Sequence, residues 1–361
     1  MRVCKVCKSK TNKFDIFLPA FRHLDFKTID KKLSLQKCTK CQLIFRTGLK
    51  IKNISKLYKT NEYAASKQTN QKIIRNGIRN HKSRAYYQSK IIRESFGKTN
   101  NIKILDIGCF DGKLLVELSK NFKKSIFYGY DINKKLKKVF PKNKKFNFYN
   151  NLNEINIKLD LIILSHSIMY VDNLKNIFRK IKSLLKKDGK IYIQLPNIIK
   201  NPFYILMGDQ FQFFTEISIK NMLSFFGFKS KIVKSHFSRE SIILAQKSNQ
   251  PNKIKYKIDK SFEKSVNKLK DIKKELNKFT KKKIIVLGST INAAFVHEIL
   301  KKNVIFFVDE QLKNKNLFRN KLIIHPNRLK NEDEIILPFD KKNKLILNKF
   351  KKNYKGKFYL V

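Results

Sequence analysis

The alternation of apolar runs and polar breaks divides the chain into two strand-and-helix stretches behind a cysteine-bearing start. An apolar run at 102–105 passes through Asp106 into a turn carrying Gly108 and Gly112, and an apolar-periodic segment follows; residues 104–115 read ILDIGCFDGKLL. That order predicts strand, glycine-rich turn, helix. A second run, 125–130, ends in Asp131, and 146–149 predicts a third strand. Residues 159–164 (LDLIIL) are apolar almost throughout, as a parallel strand buried on both faces should be. A helix is predicted over 177–185, a strand over 191–195 ended by Pro196, a helix over 218–226, and a closing hairpin over 229–235 and 241–246.

The same reading extends to both flanks. Residues 57–96 are polar and amphipathic and predict helix, with Tyr86, Tyr87, Ile91 and Ile92 as its core stripe. A polar linker at 249–252 leads to a charged helix over 257–280, whose face of Phe262, Val266, Leu269, Ile272 and Leu276 predicts packing against a neighbouring domain or subunit. Residues 283–287, then Gly288, then 292–300 repeat the strand–turn–helix plan, and 304–308 ends in Asp309. Gly288 stands almost alone there, so this part predicts a substrate-side or scaffolding domain rather than a second cofactor site. The expected architecture is α/β: a doubly wound, Rossmann-like domain flanked by a small cysteine module and a second, smaller α/β domain. The boundaries are 1–56 for the module, 57–99 for a helical arm, 100–247 for the central domain, 248–282 for a linker helix and 283–361 for the C-terminal domain.

The turn brings chemistry with it. Gly108 lets the backbone approach a ligand, Gly112 lets the helix start pack closely, and the helix N-terminus offers unpaired N–H groups. Asp131, at the tip of the second strand, is placed to accept hydrogen bonds from two ribose hydroxyls. Cys4 and Cys7 form one C-x-x-C and Cys38 and Cys41 another. Two such knuckles supply the four thiolates that zinc prefers, with no coordination position left open, so the metal would be structural. Phe14, Phe17, Phe21 and Phe26 between them are expected to pack on the next domain.

Bulk composition changes the picture in one respect. The chain has 361 residues, 42% of them hydrophobic, which fits two or three globular domains. Its formal charge of +54 would by itself suggest nucleic acid. Lysine is spread almost evenly, Asn and Ile are abundant and Trp is absent, a joint bias that an AT-rich coding background explains. The charge still draws in anionic small molecules. No apolar run reaches bilayer length, and MRVCKVCKSK has no apolar core after its charges; a cytoplasmic protein is expected.

The motif D-x-G-x-x-x-G (Asp106, Gly108, Gly112) followed by Asp131 resembles the class I S-adenosylmethionine-dependent methyltransferases. Asp106 stands where the NAD fingerprint would have its first glycine. The order of cysteine module, Tyr/Ser segment and methyltransferase domain further resembles the sugar C-methyltransferases, which act on nucleotide-linked deoxysugars. Residues 61–67 (NEYAASK) match that family's Tyr/Ser segment at Tyr63 and Ser66, and the resemblance implies that Tyr63 reaches over the active site. It also implies that backbone groups near Ser165 and His166 face the cofactor, that Tyr170 stands at the family's general-base histidine, and that Asp209 and Gln210 stand for its Glu-His pair. Met207 occupies a further family Tyr position. Neutral Tyr is a poor base at pH 7, so His166 enters as a substitute base, and methylation of carbon, oxygen or nitrogen is left open. The resemblance thus implies methyl transfer from S-adenosylmethionine to a small anionic acceptor such as a nucleotide-linked sugar or polysaccharide precursor. The other readings are an RNA-binding methyltransferase and a catalytically degenerate cofactor-binding scaffold.

Overall fold

The computed structural model describes residues 3–23, 25–48, 58, 72–75, 78–97, 100–234, 237–248, 256–310, 317–339, 341 and 343–361. The N-terminal part forms an antiparallel sheet from β1 (Thr11–Ile16), β2 (Leu33–Cys38) and β3 (Ile44–Arg46). A hairpin, β4 (Lys72–Arg75) and β5 (Ile78–Ser83), then leads into α1 (Arg84–Phe96). Of the helix expected over 57–96, the described residues show helix at Tyr58 and over Arg84–Phe96, and a hairpin where 72–75 and 78–83 lie. Ile73, Ile74 and Ile78 are β-branched, and the segment before Arg84 lacks a continuous apolar face to hold a helix down. Within α1 the buried stripe is Ala85, Gln88, Ile91 and Ile92, while Tyr86 is exposed.

The central sheet contains β6 (Lys103–Ile107), β7 (Ile126–Tyr130), β8 (Phe146–Tyr149), β9 (Leu159–Ser165), β10 (Leu185–Pro196), β12 (Phe228–Val233) and β13 (Glu240–Lys247). Between β10 and β12 lies a two-residue strand, β11 (Gln212–Phe213). The order across the sheet is β8-β7-β6-β9-β10-β13-β12, with β13 alone running opposite to the others. Strand order reverses between β6 and β9, which makes their C-terminal ends the place where an open α/β sheet binds ligands. α1 and α2 (Lys113–Asn121) pack on one face, and α3 (Leu174–Leu184) and α4 (Glu216–Phe225) on the other.

The N-terminal module is stitched to this domain by chain pairing. β11 adds to the module's sheet beside β3, with Gln212 opposite Phe45 and Phe213 opposite Ile44. Phe14 meets Phe262 edge-on at 5.9 Å and Phe26 meets Phe318 at 6.2 Å, but Phe17 is 69% exposed, so it does not share their packing role. α5 (Ser261–Leu276) buries the predicted face in one core with both the module and the C-terminal sheet. That sheet holds β14 (Ile284–Leu287), β15 (Val304–Val308), β16 (Leu317–Phe318), β17 (Lys321–Ile324), β18 (Glu334–Leu337) and β19 (Lys357–Leu360), in the order β16-β17-β15-β14-β18-β19. No helix among the described residues is long and apolar enough to cross a membrane.

Candidate functional site

The loop after β6 folds back on the second strand: Gly108 N–H and Cys109 N–H both donate to Tyr130 O, at 2.7 and 3.1 Å. Gly108 (φ +84°) and Gly112 (φ +75°) both lie in the left-handed region. A Cβ on Gly112 would stand 2.7 Å from Phe140 Cε2, so the close helix start expected there is present. A Cβ on Gly108 would first meet Ser167 Cβ, also at 2.7 Å; that glycine is required by the crossing of two loops. Asp131 accepts from Phe110 N–H through Oδ2 (3.1 Å) and from Asn133 N–H through Oδ1 (3.0 Å). Each oxygen keeps a second lone pair for a hydroxyl.

Two buried polar atoms beside this loop have no partner among the described residues, Asp106 Oδ1 and Ser167 Oγ. Burial, reinforced by the Asp131 charge, pushes the Asp106 carboxyl up to about 8. Asp131 is also raised by burial, against the pull of the Asn133 and Phe110 N–H groups. A site with two carboxyls, orphaned polar atoms and glycine-opened backbone suits a polar ligand that carries positive charge and hydroxyls.

Across β9 lies a second cluster. Asp209 is 1% exposed; its Oδ2 accepts from His23 N–H at 3.0 Å and from Tyr58 OH at 3.3 Å, while Oδ1 has no partner. Burial raises its carboxyl to about 6. The Tyr58 and Tyr170 rings meet edge-on at 4.9 Å, Gln210 Nε2 donates to Tyr170 OH at 3.4 Å, and the His23 ring lies 6.1 Å from that of Tyr170. Burial first, and then the nearby His166, holds His23 down at about 4. The candidates Tyr170 and Asp209 are thus brought together, with His166 close enough to act on their neighbour.

His166 does not lie one helical turn from Tyr170. Its φ is +55°, and only a 3-10 turn, Ile168–Tyr170, follows it. The imidazole instead joins a buried network in which Nε2 is 2.9 Å from Glu240 Oε2 and 2.5 Å from Arg84 Nη2. Arg84 Nη2 and Gln194 Nε2 also donate to that carboxylate oxygen. Ser165 Oγ accepts from Gln88 Nε2 at 2.7 Å, which turns its side chain toward α1. Tyr63 and Ser66 lie outside the described residues. The sequence reading missed His23, Tyr58, Arg84 and Glu240 as site residues; Tyr58 was the nearest to hand, five residues before Tyr63.

Elsewhere in the same part of the molecule the four cysteines converge. Cys4 and Cys41 Sγ are 3.6 Å apart, Cys7 and Cys38 Sγ 3.4 Å, and all four sulfurs lie within 4.8 Å of one another. A tetrahedron with Zn–S bonds of about 2.3 Å separates its sulfurs by about 3.8 Å. Val6 N–H points at Cys4 Sγ, and Lys40 and Cys41 N–H at Cys38 Sγ, as donors to thiolates should. The cysteines share a core with Ile168, Met169 and Phe214, so the module braces the segments that carry Tyr170 and Asp209.

Residues 79–231 match the family model of a methyltransferase domain. No curated protein matches the chain. Among solved structures it is similar to CalO1, a methyltransferase in calicheamicin biosynthesis in its SAH-bound form, at 12% identity, covering 45% of this chain and 53% of that one with a TM-score of 0.39. It is similar to human N-acetylserotonin methyltransferase in complex with SAM at 18% identity, covering 45% and 52%, TM-score 0.39. It is also similar to a SAM-dependent methyltransferase from Aquifex aeolicus at 14% identity, covering 55% and 98%, TM-score 0.39. The chain spans about half the length of the first two. At its centre, over residues 79–231, the chain is similar to methyltransferase domains.

Proposed function

We propose that the protein transfers a methyl group from S-adenosylmethionine to a hydroxyl of a small anionic acceptor, a nucleotide-linked sugar or polysaccharide precursor. The observation that carries this is the placement of two unlike side-chain clusters on either side of the segment after β9. One is a carboxyl-rich loop of Asp106, Gly108, Gly112 and Asp131; the other is the buried Asp209–Tyr58–Tyr170 cluster. When bound, the donor supplies an electrophilic sulfonium methyl. Asp131 holds ribose hydroxyls through its free lone pairs, Ser165 and His166 border the reacting end, and the Tyr58 and Tyr170 rings wall the acceptor and keep water away. Asp209, with its carboxyl near 6, is mostly ionised at pH 7 and takes the proton that the acceptor hydroxyl loses. Alignment of the nucleophile supplies most of the acceleration, so a weak base suffices. Buried Arg46, in a chain of formal charge +54, favours an anionic acceptor.

We also infer that Cys4, Cys7, Cys38 and Cys41 hold a structural zinc ion, which would fix the N-terminal module against the domain.

Calorimetry with S-adenosylmethionine tests the donor half, and methyl-labelled donor incubated with a panel of nucleotide sugars tests the acceptor half. The expected result is heat with the donor, and label in a sugar nucleotide that Asp209→Asn abolishes. No heat with the unmutated protein overturns the reading. Label appearing instead in RNA overturns the acceptor class.

A further inference from the structure

We propose that Glu240 is a positioning residue that fixes the His166 imidazole with its proton on Nε2, leaving Nδ1 as the atom that faces the reacting groups. The inference rests on the proposed reading that donor and acceptor meet at the tip of β9. Glu240 opens β13, the strand next to β10, and its side chain reaches back across the sheet end. Its Oε2 collects three donors: His166 Nε2 at 2.9 Å, Arg84 Nη2 and Gln194 Nε2. Burial pushes this carboxyl up, but Arg84 and then His166 pull it down further, so it stays an anion.

The choice of tautomer follows from the triangle that these atoms form. Arg84 Nη2 lies 2.5 Å from His166 Nε2, so a lone pair on Nε2 could accept from Arg84. That same lone pair would then face an anionic oxygen at 2.9 Å with no hydrogen between them. With the proton on Nε2, His166 aims a hydrogen at Oε2 beside that of Arg84, and the anion meets two donors instead of a lone pair. His166 Nδ1 forms no bond among the described residues, and the side chain is 32% exposed.

The surroundings hold this arrangement rigidly. His166 N–H donates to Gln194 O at 2.8 Å, which pins its left-handed backbone. Gln194 is itself oriented through Oε1, which accepts from Gln88 Nε2 at 2.8 Å and Tyr192 OH at 2.6 Å. Arg84 and Gln88 sit one turn apart on α1, so this helix delivers both to the sheet end. The other titratable groups acting on this centre are His23 from the N-terminal module, Tyr192 from β10, and Tyr204 and Arg239 from the loops after it. Glu240 is the anion that Arg84 and His166 both address.

The test is histidine side-chain NMR on full-length protein labelled with nitrogen-15 at its six histidines, with His166→Gln used for assignment. At a pH where imidazole is neutral, about 9, the unmutated protein should show a downfield, slowly exchanging proton on His166 Nε2 and a pyridine-like Nδ1. Glu240→Gln should lose that protected proton while still binding S-adenosylhomocysteine in calorimetry. A proton on Nδ1 in the unmutated protein overturns the inference, and this outcome needs no variant to fold. An unchanged Nε2 proton in folded Glu240→Gln overturns it as well. Absence of heat with S-adenosylhomocysteine in unmutated protein overturns the donor reading instead and leaves the tautomer measurement standing.

Discussion

The Asp209 carboxylate accepts the backbone N–H of His23 at 3.0 Å, a bond between residues 186 apart in the chain. It is one of several ties that build the segment 207–213 into the N-terminal module. Gly208 N–H donates to Phe21 O at 2.7 Å, Arg46 N–H donates to Phe211 O at 2.9 Å, and β11 pairs with β3. Asp209 therefore belongs structurally to the module that holds the two cysteine pairs.

That coupling makes the metal testable through the acid. Cys38 ends β2 and Cys41 lies three residues before β3, so losing the four-sulfur closure releases both strands. Cys38→Ser should lower bound zinc from about one equivalent to near none. It should also lower the melting temperature by at least several degrees, since about 1 kcal/mol moves it by about 2–4 °C in proteins of this size. Elemental analysis and thermal melts check both. Full zinc retention in Cys38→Ser would contradict the assignment.

Gly112 (φ +75°, ψ 9°) sits in the left-handed helical region, and its surroundings are close. A methyl group on it meets Phe140 Cε2 at 2.7 Å and Pro141 Cδ at 2.8 Å. The strain of a left-handed alanine alone costs about 1 kcal/mol. Gly112→Ala should cost about 2–4 kcal/mol because packing strain adds to it. Urea unfolding of the variant measures the loss; a cost of only about 1 kcal/mol would mean that Phe140 and Pro141 yield freely.

Asp106 predicts a pH dependence with a definite sign. Its folded carboxyl is raised to about 8, above the unfolded value of about 3.9. The folded state therefore binds the proton more tightly, and this contribution to stability is complete below pH about 4 and lost as pH rises through about 8. Asp106→Asn keeps the shape and cannot ionise, so its melting temperature should fall less between pH 5 and 8.5. Asp209, raised to about 6, retains its own smaller fall in both proteins. A donor bearing positive charge should also expel the Asp106 proton. Calorimetric heats for S-adenosylmethionine should then vary with the ionisation enthalpy of the buffer, and should not in Asp106→Asn.

What could be read from the sequence was what the chain settles locally. The strand–turn–helix at Asp106–Gly112 is decided within a dozen residues, and the left-handed glycines mark it. The cysteine knuckles are equally local. The hairpin before α1 escaped because a polar, isoleucine-bearing segment is ambiguous between periods, and the apolar stripe that made it look helical begins only at Ala85. The site network escaped for another reason. Arg84 and Glu240 are 156 residues apart, and neither carries a local signature; their meeting is produced by the placement of β13 beside β10. His23 could not be found at all by spacing, since it acts on Asp209 through its backbone.

Asp131 offers the sharpest separation of holding a loop from holding a ligand. Its two oxygens already accept Phe110 and Asn133 N–H, so the side chain organises the glycine turn even before a nucleoside arrives. Asp131→Ala removes both functions, and the affinity for S-adenosylhomocysteine should fall by about 10–100-fold, the worth of one or two hydrogen bonds to a charged group. Asp131→Asn keeps one acceptor oxygen for the Phe110 N–H but replaces the other by a donor, which repels the Asn133 N–H and serves only one ribose hydroxyl well. Its affinity should lie between those of the parent and the alanine variant, with a melting temperature nearer the parent's. If Asp131→Asn binds as weakly as Asp131→Ala while melting like the parent, the ribose contact alone accounts for the loss. If both bind like the parent, Asp131 serves the loop and the ribose is held elsewhere.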